Sequence, residues 1–67
     1  MLVKNAKDIA LLVQKERVKQ GLTQKQLAGL CNTSRSFIIA VESGKETAQI
    51  GKVFKVMNIL GLDIKID

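Results

Sequence analysis

The 67-residue chain contains no histidine, no tyrosine and no proline, and has a single cysteine. Each absence removes a class of chemistry. One cysteine cannot close an internal disulfide, and without histidine or a second cysteine a structural zinc site lacks its usual ligands. The six carboxylates are scattered along the chain and no glycine-rich phosphate loop occurs, so neither an enzyme nor a bound cofactor or metal is expected. So short a chain also leaves little room to enclose a usual small-molecule pocket. Long hydrophobic runs are missing too. The apolar stretch Ile9 to Val13 is too short to span a membrane, and charged residues follow it where a signal peptide needs a small-residue cleavage site. The expectation is a cytoplasmic protein with no membrane partner.

What remains is a single domain, residues 1–67, with no room for a second core. At this size one core rarely supplies more than about 3–5 kcal/mol without disulfides, metal or oligomerisation. Only oligomerisation is left, so a homodimer is expected. Eleven Lys and Arg against six Asp and Glu give a net charge of +5. The surplus favours a polyanionic partner and steered encounter, although solubility alone is a competing explanation.

Taken in order, Asn5 and Asp8 resemble a capping box that starts a helix near Ala6, and Gly21 ends it. Ile9, Leu12 and Val13 form its apolar stripe, continued by Glu16 and Arg17. Leu11 and Val18 lie seven apart on the opposite face; two scattered exposed residues is the reading favoured over a partner contact. Thr23 and Gln26 form the T-x-x-Q box of a second helix, whose buried side is Leu27, Ala28 and Cys31. With no residue to activate it, Cys31 reads as a small core side chain. Asn32 suits the left-handed turn that follows, and Thr33 or Ser34 caps a third helix closed by Gly44. In that helix Phe37, Ile38 and Val41 share one side, and Arg35, Ser36, Ile39 and Ala40 the other. Ile50, Val53, Phe54, Met57 and Leu60 mark a fourth helix, ending at Gly61. The tail from Leu62 to Ile66 alternates with period two, a strand pattern that needs a partner. Either the chain's own Leu2 to Lys4 or the tail of a second molecule would serve. Leu62, Ile64 and Ile66 share one apolar face, and pairing across a dimer is the favoured reading.

Two helices joined steeply through Asn32, the second with a polar outer face, fit a helix-turn-helix over about residues 23–44. In such an arrangement Arg35 offers the two-pronged donor geometry that suits guanine O6 and N7, a phosphate contact being the alternative. Ile39 and Ala40 could meet thymine methyl groups, or Ile39 could pack on a neighbouring helix.

The stretch GLTQKQLAGLCNTSRSFIIAVESGK resembles the phage-repressor and Xre family of helix-turn-helix regulators. SRSFI together with QIGKVFKVMNILGLDIKI is similar to HipB-type antitoxins, the DNA-binding partners of HipA-like kinase toxins. The resemblance runs from about Ile9 to Ile66. It implies an all-α, four- to five-helix, lambda-repressor-like domain with a short C-terminal β-strand, and a repressor acting on double-stranded, palindromic operator DNA. It further implies base contacts from Arg35, Ser36 and Ala40, which Ile39 joins on the helical face alone. Phosphate contacts would come from Thr23, Gln24, Lys25, Ser34, Lys45 and Lys52. Arg17 and Glu42 match positions of a partly buried ion pair. Departures from the family pattern are Asn32 for glycine, Thr33 for an aliphatic residue, and Glu46 in a loop that often carries proline. A HipA-like kinase toxin is the further partner implied; a stand-alone phage-type repressor and a protein-binding adaptor of the same fold are the alternatives.

Overall fold

A computed structural model describes residues 2–62 and 65–66. In chain order these form β1 (Leu2–Val3), α1 (Ala6–Lys19), α2 (Gln24–Leu30), α3 (Arg35–Glu42), α4 (Ile50–Ile59) and β2 (Lys65–Ile66). The described residues thus hold four helices.

The helix starts follow from local hydrogen bonding. Asn5 Oδ1 accepts from the Asp8 amide at 3.0 Å, while the Asp8 carboxylate accepts from the Lys4 amide at 2.9 Å. The reciprocal bond therefore goes one residue earlier than in a capping box. Thr23 and Gln26 form the full box, with the Gln26 amide donating to Thr23 Oγ1 at 3.0 Å and the Thr23 amide donating to Gln26 Oε1 at 2.8 Å. Ser34, rather than Thr33, caps α3 by accepting from the Phe37 amide.

All four helices end in the same way. After each, one residue turns left-handed, and its own amide and the next one donate back to the last turn, a Schellman closure. Glycine occupies three of the four turn positions, and Asn32, with φ of 54°, occupies the fourth, between α2 and α3. At Gly44 more than φ is involved. A Cβ there would lie 3.3 Å from Lys7 Cγ, so the end of α3 lies close against α1.

The core gathers Val13, Leu27, Ala28, Cys31, Ile38, Val41, Val53, Val56, Met57 and Leu60. Burial pushes the Cys31 thiol up from its ordinary range, with Lys55 opposing in part, which keeps it a neutral packing group. The buried edge of α4 differs from the expected stripe. Val56 is buried, whereas Ile50 and Phe54 are exposed. Spacing alone admits both strips, and packing against the other helices selects the one centred on Val53, Val56 and Leu60.

The tail also departs from expectation. Lys65–Ile66 pairs in parallel with Leu2–Val3 of the same chain, Leu2 opposite Lys65 and Val3 opposite Ile66, instead of with a second molecule. An intramolecular partner is always at hand, while a second chain must first give up translational freedom. Leu62 is not in the strand. Its amide donates to Met57 O at 2.9 Å in the closure of α4, which turns the half-buried residue back onto the core. Of the other tail positions expected at a dimer contact, Ile64 lies outside the described residues, and Ile66 has its backbone in β2.

Asn32→Val tests the α2–α3 turn. A β-branched residue in the left-handed region costs about 1–2 kcal/mol, so thermal melting should fall by roughly 4–8 °C per kcal/mol for a domain of this size. An unchanged melting temperature would mean that the turn relaxes to another shape.

Candidate nucleic-acid interface

Helices α2 and α3 are too short, at 7 and 8 residues, to hold their shape alone. Their mutual placement depends on a polar network that starts on the inner side of α1. Arg17 Nε donates to Glu42 Oε2 at 2.7 Å and its Nη2 to Glu42 Oε1 at 3.1 Å, so the two meet as a two-pronged pair. The remaining arm, Nη1, donates to the Leu22 carbonyl at 2.8 Å, just ahead of α2. Glu42 Oε1 also accepts from Gln24 Nε2 at 3.3 Å. With side-chain exposures of 12% for Arg17 and 4% for Glu42, the pair is largely removed from water. It joins α1, the start of α2 and the end of α3.

Three members of this network, Arg17, Leu22 and Gln24, line an open cleft, whereas Glu42 does not. Thr23, Gln24 and Lys25, from the start of α2, share its walls with Arg35, the first residue of α3; Arg17, Val18, Gly21 and Leu22 complete it. No residue of that lining is acidic, and neither helix has an acid in its first turn. The two helix starts therefore present unneutralised positive ends. Arg35 and Lys25 are exposed, and Gln24 is half-buried. The Gln24 Nε2 that reaches Glu42 carries a second hydrogen. Thr23 and Ser34 use their oxygens to accept from backbone amides, so each hydroxyl hydrogen stays available to donate.

Beyond the cleft, Ser36 is exposed, Ile39 is 43% exposed and Ala40 is half-buried. Ile39 is absent from the core, and the outer face of α3 has an apolar step beside its polar start. Lys52 places its ammonium 5.9 Å from the centre of the Phe37 ring, within cation–π range, which brings the start of α4 beside the first turn of α3. Lys45 is exposed in the α3–α4 loop, on the wall of a separate small hollow with Ala6 and Ile50. The cleft thus brings together Thr23, Gln24, Lys25 and Arg35, while Lys45 lies apart from it.

Among the described residues no cluster of acids and cysteine could hold a metal ion, and no helix is long and apolar enough to cross a membrane.

A helix-turn-helix family matches residues 13–66, which takes in the network, the cleft and both short helices. The chain belongs to this helix-turn-helix family. It is also 45% identical, over 64 residues, to an uncharacterized HTH-type transcriptional regulator, y4mF, of Sinorhizobium fredii (strain NBRC 101917 / NGR234). That match covers 96% of this chain and 84% of the relative.

Within this family member, three features of the site escape a reading of the residues in line. The Gln24 bond to Glu42, the Arg17 bond to the Leu22 carbonyl and the approach of Lys52 to Phe37 each join positions with no periodic relation in sequence. Only the T-x-x-Q box hinted that the start of α2 is held in a fixed shape.

Removing half of the buried pair should cost about 3–5 kcal/mol, because the other charge is left uncompensated. Arg17→Ala and Glu42→Ala are each expected to unfold most of the protein at room temperature. The double variant Arg17→Met/Glu42→Met should recover part of the loss. Circular dichroism melts measure this, and a loss in Arg17→Ala below about 1 kcal/mol, the worth of a surface pair, would reduce the network to a minor role.

Proposed function

We propose that this helix-turn-helix protein is a sequence-specific DNA-binding repressor that works as a homodimer on a palindromic operator. Family membership supports a DNA-binding transcriptional regulator, in keeping with the name of the Sinorhizobium relative. The observation that carries the reading is the cleft, where two helix starts, Gln24, Lys25 and Arg35 converge without an acidic lining residue.

In the proposed complex α3 enters the major groove. Arg35 reaches guanine, Ser36 contacts a neighbouring base, and Ile39 with Ala40 meets thymine methyl groups. Gln24 donates its second amide hydrogen to a phosphate, and Thr23, Lys25 and Ser34 grip the same backbone. Lys45 and Lys52 hold a phosphate chain from the side of α4. The longest dimension of one protomer is 30 Å, short of the roughly 34 Å between half-sites one helical turn apart. One protomer therefore suits one half-site, which supports a dimer. The exposed Ile50 and Phe54, one turn apart on α4, support that helix as the dimer contact in place of the tail.

The resemblance of SRSFI and of the α4–β2 stretch to HipB-type proteins supports a finer assignment. In it the protein is an antitoxin that represses its own operon and neutralises a HipA-like kinase toxin. Copurification with a kinase encoded beside it tests this part; a protein that elutes alone at native expression levels is a stand-alone repressor.

For the DNA reading, gel shifts on the protein's own upstream DNA should show a specific complex that weakens steeply with salt. Arg35→Ala should cost about 1–3 kcal/mol on the specific site and much less on random DNA. Lys45→Ala and Lys52→Ala should weaken both alike, each lowering the salt slope by about one. Equal losses on both DNAs for Arg35→Ala would assign it to phosphate, and absence of any salt-sensitive complex would remove the repressor reading.

A further inference from the structure

Leu11 and Val18 are, among the described residues, the most exposed of the large apolar side chains, at 66% and 62%. Both lie on α1, seven residues and therefore two turns apart, on the same outward side. They are not scattered: with Leu12, Gln14 and Lys15 they line one shallow concave strip. The core does not use this strip, and its larger part lies away from the cleft, with Val18 alone common to both.

The exposed charges around it have one sign, although Asp8, seven residues before Lys15, lies on the same side. Lys15 sits between the two apolar residues, Lys7 one turn before Leu11 and Lys19 one turn after Lys15, and all three are exposed. Asp8, the acid nearest to this face, is half-buried and its carboxylate accepts from the Lys4 amide. The side chain of Arg17 turns inward to Glu42, and half-buried Glu16 lies toward the far side of the helix.

We infer that the outer face of α1 is a docking surface for an acidic amphipathic helix of another protein, with Leu11 and Val18 as anchors and Lys7, Lys15 and Lys19 as the rim. An apolar seam bounded by like charges is the complement of a helix with aliphatic residues at i and i+7 and carboxylates beside them. A second copy of this chain fits badly. Two-fold pairing would gather Lys7, Lys15 and Lys19 of both copies along one seam, where like charges repel. Two anchors are also few for the roughly 1,200–2,000 Å² that a stable interface buries. Nucleic acid fits badly for the opposite reason, since phosphates would leave both anchors without an apolar partner. The inference does not depend on the DNA reading.

A fluorescein-labelled, lactam-stapled 14-residue peptide with leucine at two positions seven apart and glutamate flanking them serves as the probe. Anisotropy should show saturable, salt-sensitive binding, and amide shift perturbations should map to α1. Leu11→Gln and Lys15→Glu are surface changes that leave the fold intact by circular dichroism. Each should weaken the peptide about tenfold or more, the loss expected for an anchor residue. Lys15→Glu should in turn favour a peptide with lysine in place of glutamate. Any of these results would overturn the inference: no peptide binding, shifts that map to α4, equal binding of the glutamate and lysine peptides, or a dimer that Leu11→Gln converts to monomer without altering peptide affinity. A loss of DNA affinity in Leu11→Gln with peptide binding unchanged would assign the face to DNA and overturn it as well.

Discussion

The desolvated pair of Arg17 and Glu42 is the constraint on which the remaining geometry rests. A four-helix body of this size has only a thin core to set interhelical angles, and two of its helices span barely two turns. Apolar contacts are tolerant of rotation, whereas a two-pronged guanidinium–carboxylate contact is directional. By adding the Leu22 carbonyl and the Gln24 amide to the same two side chains, the chain fixes the start of α2 against the end of α3. The orientation of the short helices is thus set by polar geometry, and the apolar core fills in behind it.

Local features were readable in the residues and tertiary ones were not. The Thr23–Gln26 box, the Ser34 cap and the left-handed Asn32 involve groups within three residues of each other, so the side chains alone announce them. Cys31 followed from its setting in an apolar stripe. Nothing in the sequence separates Ile50 and Phe54 from Val56 as the buried side of α4, because both sets satisfy helical spacing and only the neighbours decide. The same holds for the tail. Its alternation announces an extended segment but not its partner, and Leu62 is withdrawn from the strand by the closure of α4. Arg17 and Glu42 stand 25 positions apart; a resemblance to known repressors singled them out, since no periodicity could.

Helix α3 carries two loads on two faces. Ile38 and Val41 face the core and Glu42 the ion pair, while Arg35, Ser36 and Ile39 stand in solvent. Side chains on the outer face make none of the contacts that hold the helix in place, so their identity is free of the packing requirement. Ala40 lies between, half-buried and small, with its carbonyl accepting from the Ser43 hydroxyl at 2.8 Å.

The parallel pairing of Leu2–Val3 with Lys65–Ile66 gives the chain an unusual connectivity. Parallel strands always need a crossover connection, and here the crossover is the entire four-helix body. Two residues of ladder close a loop of more than sixty residues, and the entropy of that closure is far too large for so few hydrogen bonds to offset in an unfolded chain. The ladder therefore depends on the helices, which hold the two ends side by side; it is a seal on the body and not a support for it.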